Sequence, residues 1–260
     1  MALFDRLAAA YDGWYQAPLG ALADRLEQQA VFALVEEVEG RVTLDASCGT
    51  GNYALALARR GARVTALDTS APMLALAQMK ARRAGLPLAL VRASLERLPF
   101  RSGSFELATC VLALEFVPDP AGAIAELARV QPLGGRLVTG ALGRFGLWAL
   151  WRRLKGLLRP SLWRRAHFFS RRELTGLFFG AGYRELAERQ AIFFPPLNSA
   201  TLLAGLRWLE RQGRRWAPGL AAFLTVAGDR RQVSGQQKEI GGDGWLAKLF
   251  SSWVAVSVAS

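Results

Sequence analysis

The sequence predicts an α/β fold in which helices cover both faces of a mostly parallel, seven-stranded sheet. First, short apolar runs alternate with longer helical patterns from residue 42 to residue 139. Second, glycine, proline or a capping residue stands at most changes of pattern. Third, apolar residues make up 52% of the 260 residues, which is enough for a sizeable core. Parallel strands need helical crossovers, and the alternation therefore indicates repeated right-handed βαβ units.

The first part of the chain, residues 1–40, is predicted to be a helical cover that ends at Gly40. Its apolar residues recur at helical spacing, and charged residues fill the positions between them. The stripe consists of Leu22, Leu26, Ala30, Ala33 and Val38.

Strands and helices follow in a regular order. The predicted strands are residues 42–46, 63–67, 88–91, 105–112, 136–139, 185–194 and 221–227. The predicted helices are residues 52–60, 71–83, 118–130 and 171–180. Ser70 and Pro72 mark the start of the second of these helices, and Ser170 with Glu173 forms a capping box before the fourth.

We expect one domain over residues 1–230. After the fifth strand the alternation breaks, and a basic, aromatic insertion or lid occupies about residues 141–170. Residues 231–260 are rich in Gly, Ser and Gln, a composition that predicts a flexible tail.

Cysteine and histidine content limits the chemistry. Cys48, Cys110 and His167 are the only residues of these two types, so a disulfide framework is excluded and a zinc site is disfavoured. We expect reduced thiols, no bound metal and a cytoplasmic protein. The N-terminus lacks the pattern of a secretory signal, and no uncharged apolar run is long enough to span a membrane.

The formal charge of +12 is concentrated in one part of the chain. Fifteen Arg and Lys residues, but only four Glu, lie between Arg144 and Arg215. Such an excess attracts anions such as phosphate, nucleic acid or acidic lipid. A solvated basic surface with no specific partner is the alternative.

The stretch "TLDASCGTGNYALALARRGARVTALD" contains the strongest functional signal. Asp45 ends a strand, and the small residues after it let the backbone approach a ligand at a helix N-terminus. The turn is neither a Walker A loop nor G-x-G-x-x-G, because its register from Ser47 is S-x-G-x-G. Asp68 ends the next strand, seventeen residues after Gly51, where a carboxylate can accept both hydroxyls of a ribose. Turn and acid together predict an adenosine-type ligand, although glycine turns and helix-entry acids also occur for packing alone.

The ordered motifs resemble the class I S-adenosylmethionine-dependent methyltransferases, in particular the small-molecule group that includes ubiquinone and menaquinone methyltransferases. The resemblance covers about residues 4–140. It rests on "FDRLAAAYDGWY", "LDASCGTGN", "VTALDTSAPMLALAQ" and "ASLERLPFRSGSFELATCVLALEFVPDPAGAIAELARV". It implies a Rossmann-like sheet, S-adenosylmethionine as cofactor and S-adenosylhomocysteine as by-product.

The resemblance also implies roles for individual residues. The methionine end of the cofactor would lie against Asp45, Ser47, Cys48, Gly49 and Gly51, with Tyr11 and Trp14 closing over it. The ribose and adenine would contact Asp68, Thr69, Met73, Ser94 and Leu95. Leu112 would line the cleft towards the acceptor. Ser47 replaces the first glycine of the family loop, Ser94 a frequent Asp, and Glu115 a frequent His.

Methyl transfer depends mainly on alignment, and a base is needed only if the nucleophile must lose a proton. Glu115 is the predicted base, and the alternative is that it caps the following helix. His167 is a weaker catalytic candidate.

The acceptor is predicted to be a small, apolar molecule. The Trp- and Arg-rich insertion is expected to admit it while resting on anionic membrane. RNA modification is an alternative, because arginines with interleaved aromatics also suit RNA. A protein that binds the cofactor without catalysis is a third, and a nicotinamide-dependent dehydrogenase a distant fourth. The sequence leaves the oligomeric state open.

Overall fold

A computed structural model of the chain describes residues 4–158, 162–197 and 203–231. Within these ranges the elements alternate as the sequence predicts. The helices are α1 (Ala8–Trp14), α2 (Pro18–Phe32), α3 (Asn52–Ala58), α4 (Ala71–Arg83), α5 (Pro120–Arg129), α6 (Leu147–Leu158), α7 (Arg171–Gly180) and α8 (Leu203–Trp216). The strands are β1 (Val42–Ala46), β2 (Arg63–Asp68), β3 (Ala89–Arg92), β4 (Leu107–Val111), β5 (Arg136–Leu142), β6 (Tyr183–Ala191) and β7 (Phe223–Arg230).

The strands form one sheet in the order β3-β2-β1-β4-β5-β7-β6. The first five strands are parallel, and β7 runs antiparallel to both of its neighbours. The predicted fold class, a seven-stranded and mostly parallel sheet, is confirmed. The strand order reverses direction beside β1, so the carboxyl ends of β1 and β4 meet at the place where such sheets bind ligands.

Two apolar layers hold the helices against the sheet. One joins α2 and α3 to the sheet around Val31, Leu57 and Phe223. The other covers the opposite face, where α5 and α7 pack through Leu127 and Phe178. The N-terminal cover is two helices rather than one, because the chain leaves the helical conformation at Ala17 before Pro18 starts α2.

Local signals place most helix ends correctly. The Ser70 hydroxyl accepts a hydrogen bond from the Met73 amide at the start of α4. Ser170 and Glu173 form the predicted capping box of α7. Helices α6 and α8 were not predicted; the second of them follows a gap at residues 198–202. The predicted tail, apart from Arg231, lies outside the described residues.

Candidate functional site

The loop after β1 bends sharply because alternate residues adopt left-handed backbone conformations. Ser47, Gly49 and Gly51 have φ angles of 64°, 54° and 86°. The Cys48 amide donates to the Leu67 carbonyl at 2.8 Å, which fixes the loop against the end of β2. Ser47 therefore adopts, at some strain, a conformation that glycine would reach freely. The turn therefore keeps its left-handed conformation at position 47, although serine stands where the family loop has glycine.

Asp68 connects the end of β2 to this loop. One carboxylate oxygen accepts the Gly49 amide and the other accepts the Ser70 amide, both at 2.9 Å. Burial raises the pKa of the carboxyl, and these backbone bonds oppose the shift. Each carboxylate oxygen can accept more than one hydrogen bond. Asp68 can therefore order the loop and still accept hydroxyl groups.

Asp45 lies at the end of β1 and is buried. Its Oδ1 accepts a hydrogen bond from the Thr109 hydroxyl at 2.8 Å, whereas its Oδ2 has no partner among the described residues. Burial raises the pKa of this carboxyl to about 7. The Ala54 backbone lies close enough to oppose this rise in pKa, and Oδ2 keeps the capacity to accept a further hydrogen bond.

The residues predicted to contact the adenosine lie along the next two strand ends. Thr69 is exposed and Met73 is buried at the start of α4. After β3, Ser94 is half-buried and its hydroxyl accepts the Glu96 amide at 3.3 Å. Leu95 is buried. Ser94 stabilises its own turn in this way, and it offers a hydroxyl where a carboxylate was the expected residue type.

Glu115 follows β4 in a short 3₁₀ turn, Leu114–Phe116, and its side chain is fully buried. Its Oε1 accepts the Leu142 amide at 2.5 Å, and its Oε2 has no partner among the described residues. Burial raises its pKa to about 7. The capping alternative is wrong, because Asp119 caps α5 by accepting the Gly122 amide.

Leu112 lies between β4 and this turn and is half-buried. Its φ angle is 55°, and its amide donates to the Gly140 carbonyl at 2.7 Å. This bond ties the chain leaving β4 to strand β5. A strained, half-buried residue at a carboxyl strand end fits the predicted position beside the cleft.

Helix α1 lies over the glycine loop. A Cβ atom on Gly49 would lie 3.8 Å from the Tyr11 ring. The Tyr15 hydroxyl donates to the Tyr11 hydroxyl at 2.8 Å, and the Trp14 ring lies 6.4 Å from that of Trp148. The predicted aromatic cover therefore contacts the loop on one side and α6 on the other.

Four polar residues that were not predicted attach α1 to the loop and its flanking helices. Asp12 accepts hydrogen bonds from the Thr50 hydroxyl, at 2.8 Å, and from the Lys80 ammonium group. Lys80 also donates to Thr50 at 3.0 Å and to Asn52 at 3.1 Å. The sequence gives no signal for this cluster, since Asp12 and Lys80 are 68 positions apart.

A second set of buried polar side chains that was not predicted surrounds Glu27 and Arg152. Glu27 of α2 is buried, and its Oε2 has no partner among the residues described. Burial, with the nearby Asp24, raises its pKa to about 8. Arg152 of α6 is also buried, and its charge interacts favourably with both Glu27 and Glu115. The Tyr53 hydroxyl nearby is buried and likewise lacks a partner.

The remaining predicted residues are His167, Cys48 and Cys110. The exposed His167 ring meets a Glu173 oxygen at 2.5 Å, and the His167 backbone amide donates to the Glu115 carbonyl at 2.8 Å. Cys48 and Cys110 carry free, buried thiols, and burial raises the pKa of both. Within the described ranges, no three His, Cys, Asp or Glu residues are grouped to hold a metal ion. No helix in these ranges is long and apolar enough to cross a membrane.

Comparison with known proteins shows which family this chain is similar to. Residues 44–139 match the family model described as a methyltransferase domain. An uncharacterized protein of Mycobacterium tuberculosis strain H37Rv is 36% identical over 191 residues, which are 74% of this chain and 63% of that protein. The chain thus spans less than two thirds of that relative. The demethylmenaquinone methyltransferase of Thermobifida fusca is 40% identical over 73 residues, 28% of this chain and 30% of that enzyme.

Solved structures share the fold. A protein of Thermotoga maritima, described as a SAM-dependent methyltransferase and possible histamine N-methyltransferase, superposes with a TM-score of 0.67. The alignment covers 88% of this chain and 98% of that one at 24% identity.

Proposed function

Because the chain carries a class I S-adenosylmethionine-dependent methyltransferase domain, we propose that it transfers a methyl group from this cofactor to a small, apolar acceptor. The observation that supports this most directly is the meeting of three features at one sheet edge. These are the left-handed loop at Ser47–Gly51, the carboxylate of Asp68 and the unpartnered oxygen of Asp45.

The residues at this edge fit the cofactor that the family uses. Asp68 keeps acceptor capacity for ribose hydroxyls, and Met73 and Leu95 supply buried apolar surface for an adenine ring. The unpartnered Asp45 oxygen and the loop backbone would hold the methionine part. When bound, S-adenosylmethionine supplies a sulfonium methyl group that can pass in line to a nucleophile, leaving a neutral thioether.

Glu115 is the group that we propose as general base. It is buried, its Oε2 is free to accept a proton, and its pKa near 7 gives it both protonation states at neutral pH. A base with this pKa is well matched to removing a proton from a phenol or an enolisable carbon. Helix α1 contributes by keeping water away from the loop.

Aromatic side chains near Glu115 support an apolar acceptor. The Phe4 ring lies 5.0 Å from that of Phe116, which is 6.3 Å from the ring of Trp163. Trp14 and Trp148 form a second pair on the other side of the cover. Rings in such contacts provide large apolar surface with fixed geometry.

Titration calorimetry with S-adenosylhomocysteine tests the cofactor site. Replacement Asp68→Ala should weaken binding by about 1.5–3 kcal/mol, the loss of a charge-assisted hydrogen bond. Asp119→Ala removes an exposed carboxylate that only caps α5 and should leave the affinity unchanged. A wild-type protein that does not bind the nucleoside would overturn the proposal.

The acceptor can be sought among small molecules that co-purify with the protein, by mass spectrometry. Fractions are then incubated with the labelled methyl donor and either wild-type protein or Glu115→Gln. We expect the variant to bind S-adenosylhomocysteine normally and to transfer the label at least about 100-fold more slowly. Equal transfer rates would exclude Glu115 as the base.

We also propose that helices α6 and α8 rest on anionic membrane. Leu147, Leu150, Trp151 and Leu154 recur at helical spacing on α6 and are 43–56% exposed. Helix α8 exposes Trp208 and Trp216, the latter by 71%. Arginines and a lysine flank these side chains: Arg153, Lys155, Arg207, Arg211, Arg214 and Arg215. Apolar side chains with a cationic rim are typical of helices that lie in the membrane interface.

The two helices are anchored at neighbouring residues. The Trp148 indole donates to the Phe194 carbonyl at 2.9 Å, and Glu210 accepts the Phe193 amide at 2.8 Å. The two helices are therefore attached close together, and we propose that their exposed sides form one surface for a flat partner.

Vesicle co-sedimentation tests this surface. Binding should require phosphatidylglycerol in phosphatidylcholine vesicles and should fall steeply in Trp151→Ser/Leu154→Ser. The control Leu133→Ser/Phe179→Ser removes apolar side chains that are equally exposed elsewhere and should bind normally. Binding that ignores acidic lipid, or stronger salt-dependent binding to bulk RNA, would contradict the proposal and favour the nucleic-acid alternative.

A further inference from the structure

An open surface cavity of about 560 Å³ lies in the insertion after β5. It opens between α6, the 3₁₀ turn Leu162–Arg164 and the segment that leads to α7. The side chains that matter for its chemistry are Arg144, Arg152, Arg153, Trp163, Arg164 and His167. A volume of this size is within the usual range for small-molecule sites.

The cavity carries an excess of positive charge. Arg144 is paired with Glu173 at 2.8 Å, and the same carboxylate meets the His167 ring. In the described part of the chain, no carboxylate lies within ion-pair distance of Arg152, Arg153 or Arg164. Three guanidinium groups therefore line one cavity without a direct counter-ion.

Aromatic rings hold two of these arginines in place. The Arg152 guanidinium lies 4.0 Å from the centre of the Trp163 ring and 5.1 Å from that of Trp148. Arg153 lies 5.5 Å from the centre of the Phe168 ring. Contacts of this kind orient a guanidinium and leave its N–H groups free to donate. The cavity is thus organised before any ligand enters.

Arg152 connects the cavity to the interior. Its side chain is 9% exposed, and burial lowers its pKa to about 10, so it stays charged at neutral pH. Its charge also interacts with Glu115, and the His167 amide donates to the Glu115 carbonyl at 2.8 Å. Two residues of the cavity lining, Arg152 and His167, therefore interact with the residue that we propose as base.

We propose that this arginine pocket, formed by Arg152, Arg153 and Arg164, binds an oxyanion carried by the methyl acceptor: a carboxylate, a sulfonate or a phosphate. Guanidinium groups bind such groups through paired, charge-assisted hydrogen bonds. Trp163 supplies an apolar surface beside them for the rest of the molecule. The inference rests on the proposed function and changes its acceptor from a wholly apolar molecule to an amphiphilic one, with an apolar body and an anionic group.

The test uses two fluorescent probes with the same ring system. The anion 1-anilinonaphthalene-8-sulfonate is compared with neutral N-phenyl-1-naphthylamine, and inorganic diphosphate serves as a competitor. We expect Arg153→Gln/Arg164→Gln to weaken binding of the anionic probe about tenfold or more, while the neutral probe binds as before. Diphosphate should displace the anionic probe from the wild-type protein only.

The matched control is Arg82→Gln/Arg83→Gln, which removes the same charge from the exposed end of α4 and should change neither probe. Arg152→Met is measured as well, with its thermal midpoint. If it is folded, it should lose the anionic probe more completely than the double variant. Equal binding of the anionic probe by wild-type and double variant, or equal losses in the α4 control, would overturn the proposal.

Two further measurements distinguish the pocket from a lipid-headgroup site, and the anion site from the proposed function. If the double variant loses binding to phosphatidylglycerol vesicles but keeps the soluble anion, the arginines serve lipid headgroups and the pocket proposal is wrong. Calorimetry with S-adenosylhomocysteine should give the same affinity in the double variant and the wild type. A wild type that binds the anion but not the nucleoside would overturn the proposed function and leave the anion site standing.

Discussion

Two features of position 51 in the loop require glycine. Its φ of 86° is unfavourable for any L side chain, and a Cβ atom there would lie 3.0 Å from the Ala77 Cβ on α4. The residue therefore lets α3 approach α4 while it turns the chain. Gly51 therefore serves packing, the alternative to ligand access that the sequence left open.

Replacement Gly51→Ala should lower the free energy of unfolding by about 2 kcal/mol, through backbone strain and the close contact with Ala77. Gly176 lies inside α7, and a Cβ atom added there would have no neighbour within 4 Å. Gly176→Ala should therefore raise the free energy of unfolding by about 0.5–1 kcal/mol. Urea unfolding of both variants measures the two effects. A Gly51→Ala protein as stable as the wild type would show that the loop can rearrange.

Glu27 makes stability depend on pH. Below about pH 4.5 the carboxyl is protonated in the folded and the unfolded chain alike. Between about 4.5 and 8 the unfolded chain ionises while the buried group keeps its proton, so the free energy of unfolding falls as the pH rises. Glu115 and Asp45, with pKa values raised to about 7, act in the same direction.

Glu27→Gln should therefore match the wild type near pH 4 and exceed its stability at pH 8.5 by at least about 1 kcal/mol. Urea titrations across this range give the comparison. Glu37→Gln, an exposed carboxylate that follows α2, is the control and should keep the wild-type pH profile. Parallel curves for wild type and Glu27→Gln would show that Glu27 is not held neutral.

Glu27 also shows a limit of predicting the burial of a side chain from the pattern of residues along a helix. It was predicted to be one of the charged positions between the apolar residues of α2, yet it is 5% exposed. A stripe pattern cannot reveal that a second layer, here α1 and α6, covers the polar side of a helix. By contrast, the places of Asp45 and Asp68 follow from strand ends alone, because parallel strands end at one edge.

At the level of elements, α1 depends on contacts made far along the chain. It has seven residues, no side-chain cap at its N-terminus and one buried residue, Ala8. A helix this short is not stable in isolation. Its attachment through Asp12, Thr50 and Lys80 therefore decides whether it covers the glycine loop.

Asp12→Ala should release α1 while the rest of the fold stays intact. We expect amide hydrogen exchange in residues 8–14 to become about tenfold faster, since the charge-assisted contacts to Lys80 and Thr50 are lost. Affinity for S-adenosylhomocysteine should fall as the cover opens. Arg83→Ala, an exposed change on the helix that carries Lys80, should leave the exchange of α1 unaltered. Unchanged exchange in Asp12→Ala would mean that aromatic packing alone holds the helix.

Two groups of helices show why the sequence predicted the first half of the chain better than the second. Helices α3, α4 and α5 lie between strands and carry clear boundaries such as Ser70 and Asp119. Helices α6 and α8 do carry apolar residues at helical spacing, but they follow the point where the strand–helix alternation breaks, and no helix was predicted there.

For the molecule as a whole, Arg136 joins the cover, the parallel strands and the antiparallel edge. It begins β5 and is 7% exposed. Its Nε donates to the Leu34 carbonyl after α2 at 2.9 Å, and its Nη1 donates to Asp229 of β7 at 2.7 Å. Glu36 lies 3.2 Å from the same nitrogen. The sequence shows only an arginine at the start of a strand, and contacts across about a hundred positions cannot be read from it.

Arg136→Met should lower the free energy of unfolding by about 2–4 kcal/mol, because it leaves a carbonyl and a partly buried carboxylate without their donor. For a chain of this size that corresponds to a fall of roughly 5–15 °C in the unfolding midpoint. Since three layers meet at this side chain, circular dichroism and tryptophan fluorescence should report the same single, shifted transition. Arg231→Met removes an exposed partner of Glu185 and should leave the midpoint where it is. Separate transitions for the two probes in Arg136→Met would show that the cover and the sheet unfold independently.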